Sequence, residues 1–306
     1  MVYTCTLNPA VDYILRLKTL ETNQLNRAEK ASFRAGGKGI NVSVVLNNLG
    51  VDSVATGFLG GFSGEFIKSD LNQYKLIKLD FIDILGTTRI NLKLNHGFKE
   101  TEVNPLGPVI SNEDFEKILK KIEKLSQKDL LICSGSACHG QENAYIKIAS
   151  VCQQKGIKFV MDIPGKELME LIGYKPLLIK PNLVELEDYF DTKIKSMNDM
   201  ISYGKKLIAL GAQNVMISMG SKGSLFIDSK VVYRASLVHG HAIDTTGAGD
   251  SMVAGFIKSY LEHQDSKKAY LNAAICGSAT VFSEGLASQE TLKLYQNKIK
   301  IKEIHI

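Results

Sequence analysis

Seven short apolar runs, none long enough for an independent helix, punctuate the chain, and the stretches between them repeat their apolar residues at helical spacing. The runs are Val2 to Leu7, Ser53 to Phe58, Leu130 to Cys133, Lys158 to Asp162, Leu177 to Lys180, Asn214 to Ser218 and Ser224 to Ile227. Nearly continuous apolar strands of this kind need cover on both faces, and intervening helices supply it. The alternation predicts a mainly parallel sheet between two helical layers, an α/β/α sandwich. One predicted helix carries Phe115, Ile118, Leu119, Ile122 and Leu125 as a single stripe; Ser111, with Asp114 three residues on, opens it in the manner of a capping box. Ligands of such sheets sit beyond the carboxyl ends of the strands. Asn8, Ser134, Asp162, Asn182 and Ser218 follow strand-like runs and are therefore candidate site residues.

Two stretches, Asp12 to Phe33 and Thr87 to Val103, break this rhythm with strand-like alternation and no helix between their halves. In the second, period two puts Arg89, Asn91 and Lys93 on one face and Ile90, Leu92 and Leu94 on the other. Such a two-sided ribbon either lies over a cleft or forms an edge whose charges discourage aggregation. The tail from Lys298 alternates like a last charged edge strand. With 306 residues and no internal repeat or linker, one large domain over 1–306 is expected, with ribbon segments at about 12–34 and 87–104.

A net charge of +5, with lysines dispersed, gives nucleic acid or a membrane surface little support as a partner. No apolar run is long enough to span a bilayer, and the first residues read as a strand rather than a signal peptide, so a cytoplasmic location is expected. The five cysteines form no CxxC pair, which argues against a disulfide framework or a zinc site.

The chemistry concentrates at two glycine-rich helix starts. One runs from His241 through Asp244, Thr245, Thr246, Gly247, Ala248, Gly249 and Asp250 to Ser251, ahead of a helical apolar face formed by Met252, Val253, Phe256, Ile257, Tyr260 and Leu261. Glycines there turn backbone N–H groups toward a ligand, and the helix dipole adds to their pull on a phosphate. Asp250 is either a simple cap or, beside a transferring phosphoryl group, the base that takes a proton from an attacking hydroxyl. The other start is Ala35, Gly36, Gly37, Lys38, Gly39, Ile40 and Asn41, leading into a helix with Val42, Val45, Leu46 and Leu49 on one stripe and Gly50 as its terminator. It has neither Walker spacing nor a dinucleotide-binding fingerprint. Close backbone approach to a sugar, with Asn41 bonding its hydroxyls, suits three glycines so placed.

These segments, with Thr6-Leu7-Asn8-Pro9-Ala10-Val11-Asp12, Ile179-Lys180-Pro181-Asn182 with Glu185, and Ser218-Met219-Gly220-Ser221-Lys222-Gly223, make the chain resemble the ribokinase-like PfkB family of sugar kinases from end to end. Within it the resemblance is greatest to the bacterial 1-phosphofructokinases, then to the tagatose-6-phosphate kinases. The resemblance implies a three-layer α/β/α sandwich with a small β-sheet lid, ATP and Mg²⁺ as cofactors, and often a homodimer made through the lids. It also implies that Asp250 is the catalytic base and that Gly247, Ala248, Gly249 and Asp250 form the anion hole. Lys180, Asn182, Ser218, Gly220, Gly223, Gly247, Gly249 and Asn272 are then expected at the nucleotide, and Asn182 and Glu185 at Mg²⁺ through water; read alone, those two residues are a helix cap. Asp12, Gly37, Lys38, Asn41 and Asp250 are expected at the sugar, and Arg27, Arg89 and Lys93 at its existing phosphate.

Departing from relatives, the chain reads Ser134-Gly135-Ser136-Ala137-Cys138-His139-Gly140 where a proline-containing turn is common. The 88–94 and 284–287 segments resemble those of the 1-phosphofructokinases more than those of the tagatose-6-phosphate kinases, and that resemblance implies fructose 1-phosphate as substrate over tagatose 6-phosphate. Two other classes stay open: a catalytically silent sugar-phosphate sensor, which should have lost Asp250 or its glycines, and a nicotinamide-dependent oxidoreductase, which lacks the fingerprint.

Overall fold

The structure is a computed structural model, and it describes residues 1–306 apart from Phe98, Leu237, His239, His241 and Ile306. His241, the first residue of the glycine-rich stretch read above, therefore lies outside the described residues. The strands are β1 (Val2–Thr6), β2 (Ala10–Leu17), β3 (Lys30–Gly36), β4 (Ser53–Leu59), β5 (Ile77–Leu79), β6 (Ile82–Asp83), β7 (Arg89–His96), β8 (Lys99–Val103), β9 (Leu130–Ser134), β10 (Lys158–Asp162), β11 (Leu178–Ile179), β12 (Val215–Ser218), β13 (Ser224–Ile227), β14 (Val232–Ala235) and β15 (Ile301–Glu303). The helices are α1 (Lys38–Asn48), α2 (Gly61–Leu71), α3 (Asn112–Glu123), α4 (Ala144–Lys155), α5 (Glu167–Leu171), α6 (Leu183–Tyr189), α7 (Met197–Leu210), α8 (Ala248–His263), α9 (Ser266–Val281) and α10 (Gln289–Tyr295).

The large sheet runs β15-β14-β13-β12-β11-β10-β9-β1-β4-β5, with β6 alongside β4. From β12 to β5 its pairs are parallel, and from β12 to β15 they are antiparallel. Strand alternation divides the core in two. Leu131, Cys133, Phe159, Met161, Ile179 and Ile217 pack with α3, α4 and α7 on one face. Leu130, Ile132, Val160, Leu178, Met216 and Phe226 pack with α1, α8 and α9 on the other. All seven predicted apolar runs are strands of this sheet, and the charged tail is its edge strand β15. The segments β5, β6 and β14 carried no sufficient sequence signal, since two to four residues show no periodicity.

The two ribbons form a separate four-stranded sheet, β3-β2-β7-β8. At its base Val11 and Ala35 seat on Ile40 and Val44 of α1 and Ile67 and Leu71 of α2. The opposite face carries Asp12, Arg34, Asn91 and Lys93, because Asp12 lies in register with Arg34 on β3 and with Asn91 on β7. Among the described residues no helix is long and apolar enough to cross a membrane.

Candidate active site

Asp250 occupies the first turn of α8, and Gly247 caps that helix in a left-handed conformation (φ 77°) with no side-chain cap. No side chain takes the N–H groups of this turn; the Ala248 amide donates to the Thr245 carbonyl at 3.3 Å, and a bare start of this kind suits an anion. Opposite stands the start of α1, capped by Gly37 (φ 114°), again without a side-chain bond. From this second helix the Asn41 amide donates to Asp250 Oδ2 at 2.8 Å. Asp250 is only 5 % exposed. Burial pushes its carboxyl up, and the nearby Asp162 pushes it further; the Asn41 hydrogen bond, Lys38 and Lys180 pull the other way, leaving it at about 6. A carboxylate tuned to about 6 is ionised at neutral pH and still basic enough to share a proton with an alcohol.

Lys38 and Lys180 converge on Asp162, each ammonium 3.4 Å from its Oδ1. Burial pushes the Asp162 carboxyl up, but the two lysines outweigh it and hold it below the usual carboxylate range. Lys180 also lies against the anion loop: a Cβ on Gly249 would come within 2.8 Å of its Nζ. A side chain at position 249 would push the ammonium away from the helix start.

On the lid sheet Asp12 is nearly buried and accepts from the Asn91 amide at 3.0 Å. Arg34 Nε and Lys93 Nζ stand 3.7 and 3.6 Å from its other oxygen. Lys93 also faces Glu102 at 3.4 Å, and Arg34 reaches Asp244, ahead of the anion loop, at 4.0 Å. Gly36 lies so close under Asp12 that a Cβ there would sit 2.7 Å from the carboxyl carbon. A cleft of about 880 Å³ continues outward between the lid, at Ile14, Ser32 and Glu100, and the loops holding Asp244, Thr245 and Glu284.

Asn182 and Glu185 form a capping box at the start of α6: Asn182 Oδ1 accepts from the Glu185 backbone N–H at 2.9 Å, and Glu185 Oε2 accepts from the Asn182 backbone N–H at 2.8 Å. The cap reading of these two residues therefore holds, and it leaves Glu185 Oε1 free of that box. Among the described residues no group of three or more His, Cys, Asp or Glu side chains could cage a metal. An oxygen donor without a cage fits a hydrated Mg²⁺ held between the protein and phosphates. Ser218 ends β12 and is bridged to Asn182, and Gly220 and Gly223 bound the turn that follows. Asn272 donates to the Gly255 carbonyl at 2.7 Å, so its amide ties α9 to α8.

Three expectations about the phosphate-gripping residues fare differently. Lys93 stands in the Asp12 cluster. Arg89 shares that face, but its fork donates to the carbonyls of Asn8 at 3.0 Å and Pro105 at 3.1 Å, so it staples the lid to the neighbouring loops. Arg27 is exposed in the connection between β2 and β3, among Lys18, Gln24 and Glu29, and is not brought to the cluster. Arg34 was missed; pairing the 10–17 and 30–36 strands as a hairpin would have placed it opposite Asp12. In the 134–140 turn Cys138 is buried and the Ile110 amide donates to the His139 carbonyl at 2.8 Å.

A buried carboxylate at a bare helix start, a second glycine-opened helix facing it and a polar lid supply the base, the anion-binding amides and the polar groups that phosphoryl transfer to a sugar hydroxyl requires. The chain belongs to the pfkB family of carbohydrate kinases, whose model matches residues 6–292. It is 40 % identical over 305 residues to the 1-phosphofructokinase of Bacillus subtilis, covering 99 % of this chain and all of that one. It is 34 % identical over 308 residues to the D-tagatose-1-phosphate kinase of Bacillus licheniformis, covering the whole of both. The crystal structure of Escherichia coli phosphofructokinase-2 shares the fold with a TM-score of 0.91 at 24 % identity, over 97 % of this chain and 98 % of that one.

Proposed function

We propose that this protein transfers the γ-phosphoryl group of ATP to the 6-hydroxyl of D-fructose 1-phosphate, giving fructose 1,6-bisphosphate. The observation that carries the reading is Asp250: buried, poised at about 6 and fixed by Asn41 at a helix start that has no side-chain cap. In this reading Asp250 takes the proton of the 6-hydroxyl as that oxygen attacks in line. The amides of Gly247 to Asp250 hold the charge spread over the phosphoryl oxygens, and Lys180 adds a fixed positive charge beside them. Asp12 accepts from sugar hydroxyls, while Lys93 and Arg34 meet the phosphate already on carbon 1. Lys180, Ser218, Gly220 and Gly223 line the nucleotide side. Glu185, with Asn182, would hold Mg²⁺ through water, and bound Mg²⁺ would supply charge neutralisation on the triphosphate.

The 1-phosphofructokinase relative at 40 % identity supports the choice of sugar. Tagatose 6-phosphate remains the alternative read from sequence; the tagatose-1-phosphate kinase relative adds a ketose that differs from fructose only at carbon 4 and presents the same 6-hydroxyl. A coupled ADP-release assay with all three esters tests the reading. The highest kcat/KM is expected for fructose 1-phosphate, and a preference for either tagatose ester overturns that choice. Binding of ATP and ester without turnover would instead support the silent sensor. We also read 1–306 as one cytoplasmic kinase unit that pairs through its lids. Tyr13 and Phe33 stack at 4.1 Å on the outer lid face, where Phe33 and Val103 are more than half exposed, and a second copy would cover them.

A further inference from the structure

Three adjacent strands of the large sheet, β1, β9 and β10, end in Thr6, Ser134 and Asp162. All three side chains are buried, and Thr6 Oγ1, Ser134 Oγ and Asp162 Oδ2 have no hydrogen-bond partner. The charge of Asp162 is thus directed through its other oxygen alone, which meets two ammonium groups at 3.4 Å each. The two lysines come from different elements: Lys38 is the first residue of α1, which the proposed function puts at the sugar, and Lys180 follows β11, which it puts at the nucleotide, pressed against Gly249. Two like charges on flexible stems would otherwise separate or follow whichever anion arrived first.

We propose that Asp162 is a positioning residue, a shared counter-ion that locks Lys38 and Lys180 on the two sides of Asp250 before substrates bind. It touches no reacting atom; it acts through the lysines and through its own field at Asp250. This inference rests on the phosphoryl transfer proposed above. The charged groups acting on Asp250 are Asp162, Lys38 and Lys180, with the Asn41 amide as the neutral partner. Removing the Asp162 charge takes away repulsion against the ionised Asp250 and frees both lysines to turn toward it as the remaining anion, so Asp250 should become more acidic.

The test is Asp162→Asn in the full chain, with the Asp250 carboxyl titrated by ¹³C NMR and assigned by its loss in Asp250→Asn. The midpoint is expected to fall by about one pH unit, the usual effect of a close charge. kcat should drop roughly tenfold or more, as expected for misplaced charges beside the reacting groups. Lys38→Met, at a less buried side chain, should move the midpoint up and serves if Asp162→Asn does not fold. A folded Asp162→Asn protein with an unmoved Asp250 midpoint overturns the proposal, as does an unmoved midpoint in Lys38→Met. The titration needs no turnover. If the unaltered protein phosphorylates none of the sugar esters, the functional reading fails while the Asp162 network is still measured.

Discussion

The starts of α8 and α7 are both helix N-termini in the same sandwich, yet the chain treats them oppositely. At α7 Ser196 accepts from the Asp199 amide at 3.1 Å and Asp199 Oδ2 accepts from the Ser196 amide at 2.9 Å, so the helix satisfies its own donors. At α8 Gly247 offers no side chain, and the acidic residue of the first turn, Asp250, bonds across the cleft to Asn41. A side-chain cap stabilises a helix by about 1 kcal/mol; a bare start forgoes that and keeps its amides for a ligand. The start of α6 combines the two, since its capping box consumes one carboxylate oxygen of Glu185 and leaves the other.

The sharpest way to break this contrast is Asp250→Asn. A general base of this kind contributes about 10² to 10⁴-fold, and kcat should fall within that range in the coupled assay. The same variant should be more stable. The folded pKa of Asp250 lies above its ordinary value, so its contribution to stability falls as pH rises from about 4 to about 6 and stays lost above that. At neutral pH the substitution is expected to return about 2 to 3 kcal/mol, read as a rise in thermal midpoint. An active or a less stable variant would contradict the assignment.

Next in size is Gly249→Ala, whose Cβ would press on Lys180 Nζ and disturb the anion loop. A roughly 10²-fold loss of kcat, comparable to loss of one oxyanion donor, is expected with little change in secondary structure by circular dichroism. Smaller again is the pH dependence: kcat/KM should fall about tenfold per unit below a midpoint near 6, as Asp250 takes up its proton in the free enzyme. A limb centred near the ordinary carboxylate value would mean that Asp250 is not the group being titrated. The smallest effect belongs to Ser196→Ala, which should cost about 1 kcal/mol in denaturant unfolding and leave both KM values unchanged. A shifted KM for ATP there would erase the distinction between capped and bare helix starts.

Much of this architecture is legible from residue patterns. The stripe from Phe115 to Ile122, the Ser111 cap and the apolar runs are set by local periodicity, and each is part of an element of the structure, while Leu125, predicted as the end of that stripe, is buried just beyond the helix. Gly247 and Gly37 could be read as site glycines because a glycine at the junction of loop and helix has a local conformational meaning. Arg89 shows where such reading stops. Its face on the ribbon was correctly placed by period two, but its fork is taken by carbonyls of Asn8 and Pro105, one of them 81 residues away in sequence. Alternation determines the face of a strand and carries no information about what that face meets.

The sequence by itself thus determined the layers, the two glycine-opened helices and the aspartate at the second, because each rests on interactions within a few residues. Only the tertiary structure decided that Asn41 holds Asp250 from 209 residues away, that Arg34 joins Asp12, and that one buried carboxylate, Asp162, serves two lysines. Those contacts come from strand register and from crossovers that bring distant strand ends to one edge of the sheet, where charge is balanced by whatever neighbours the fold delivers.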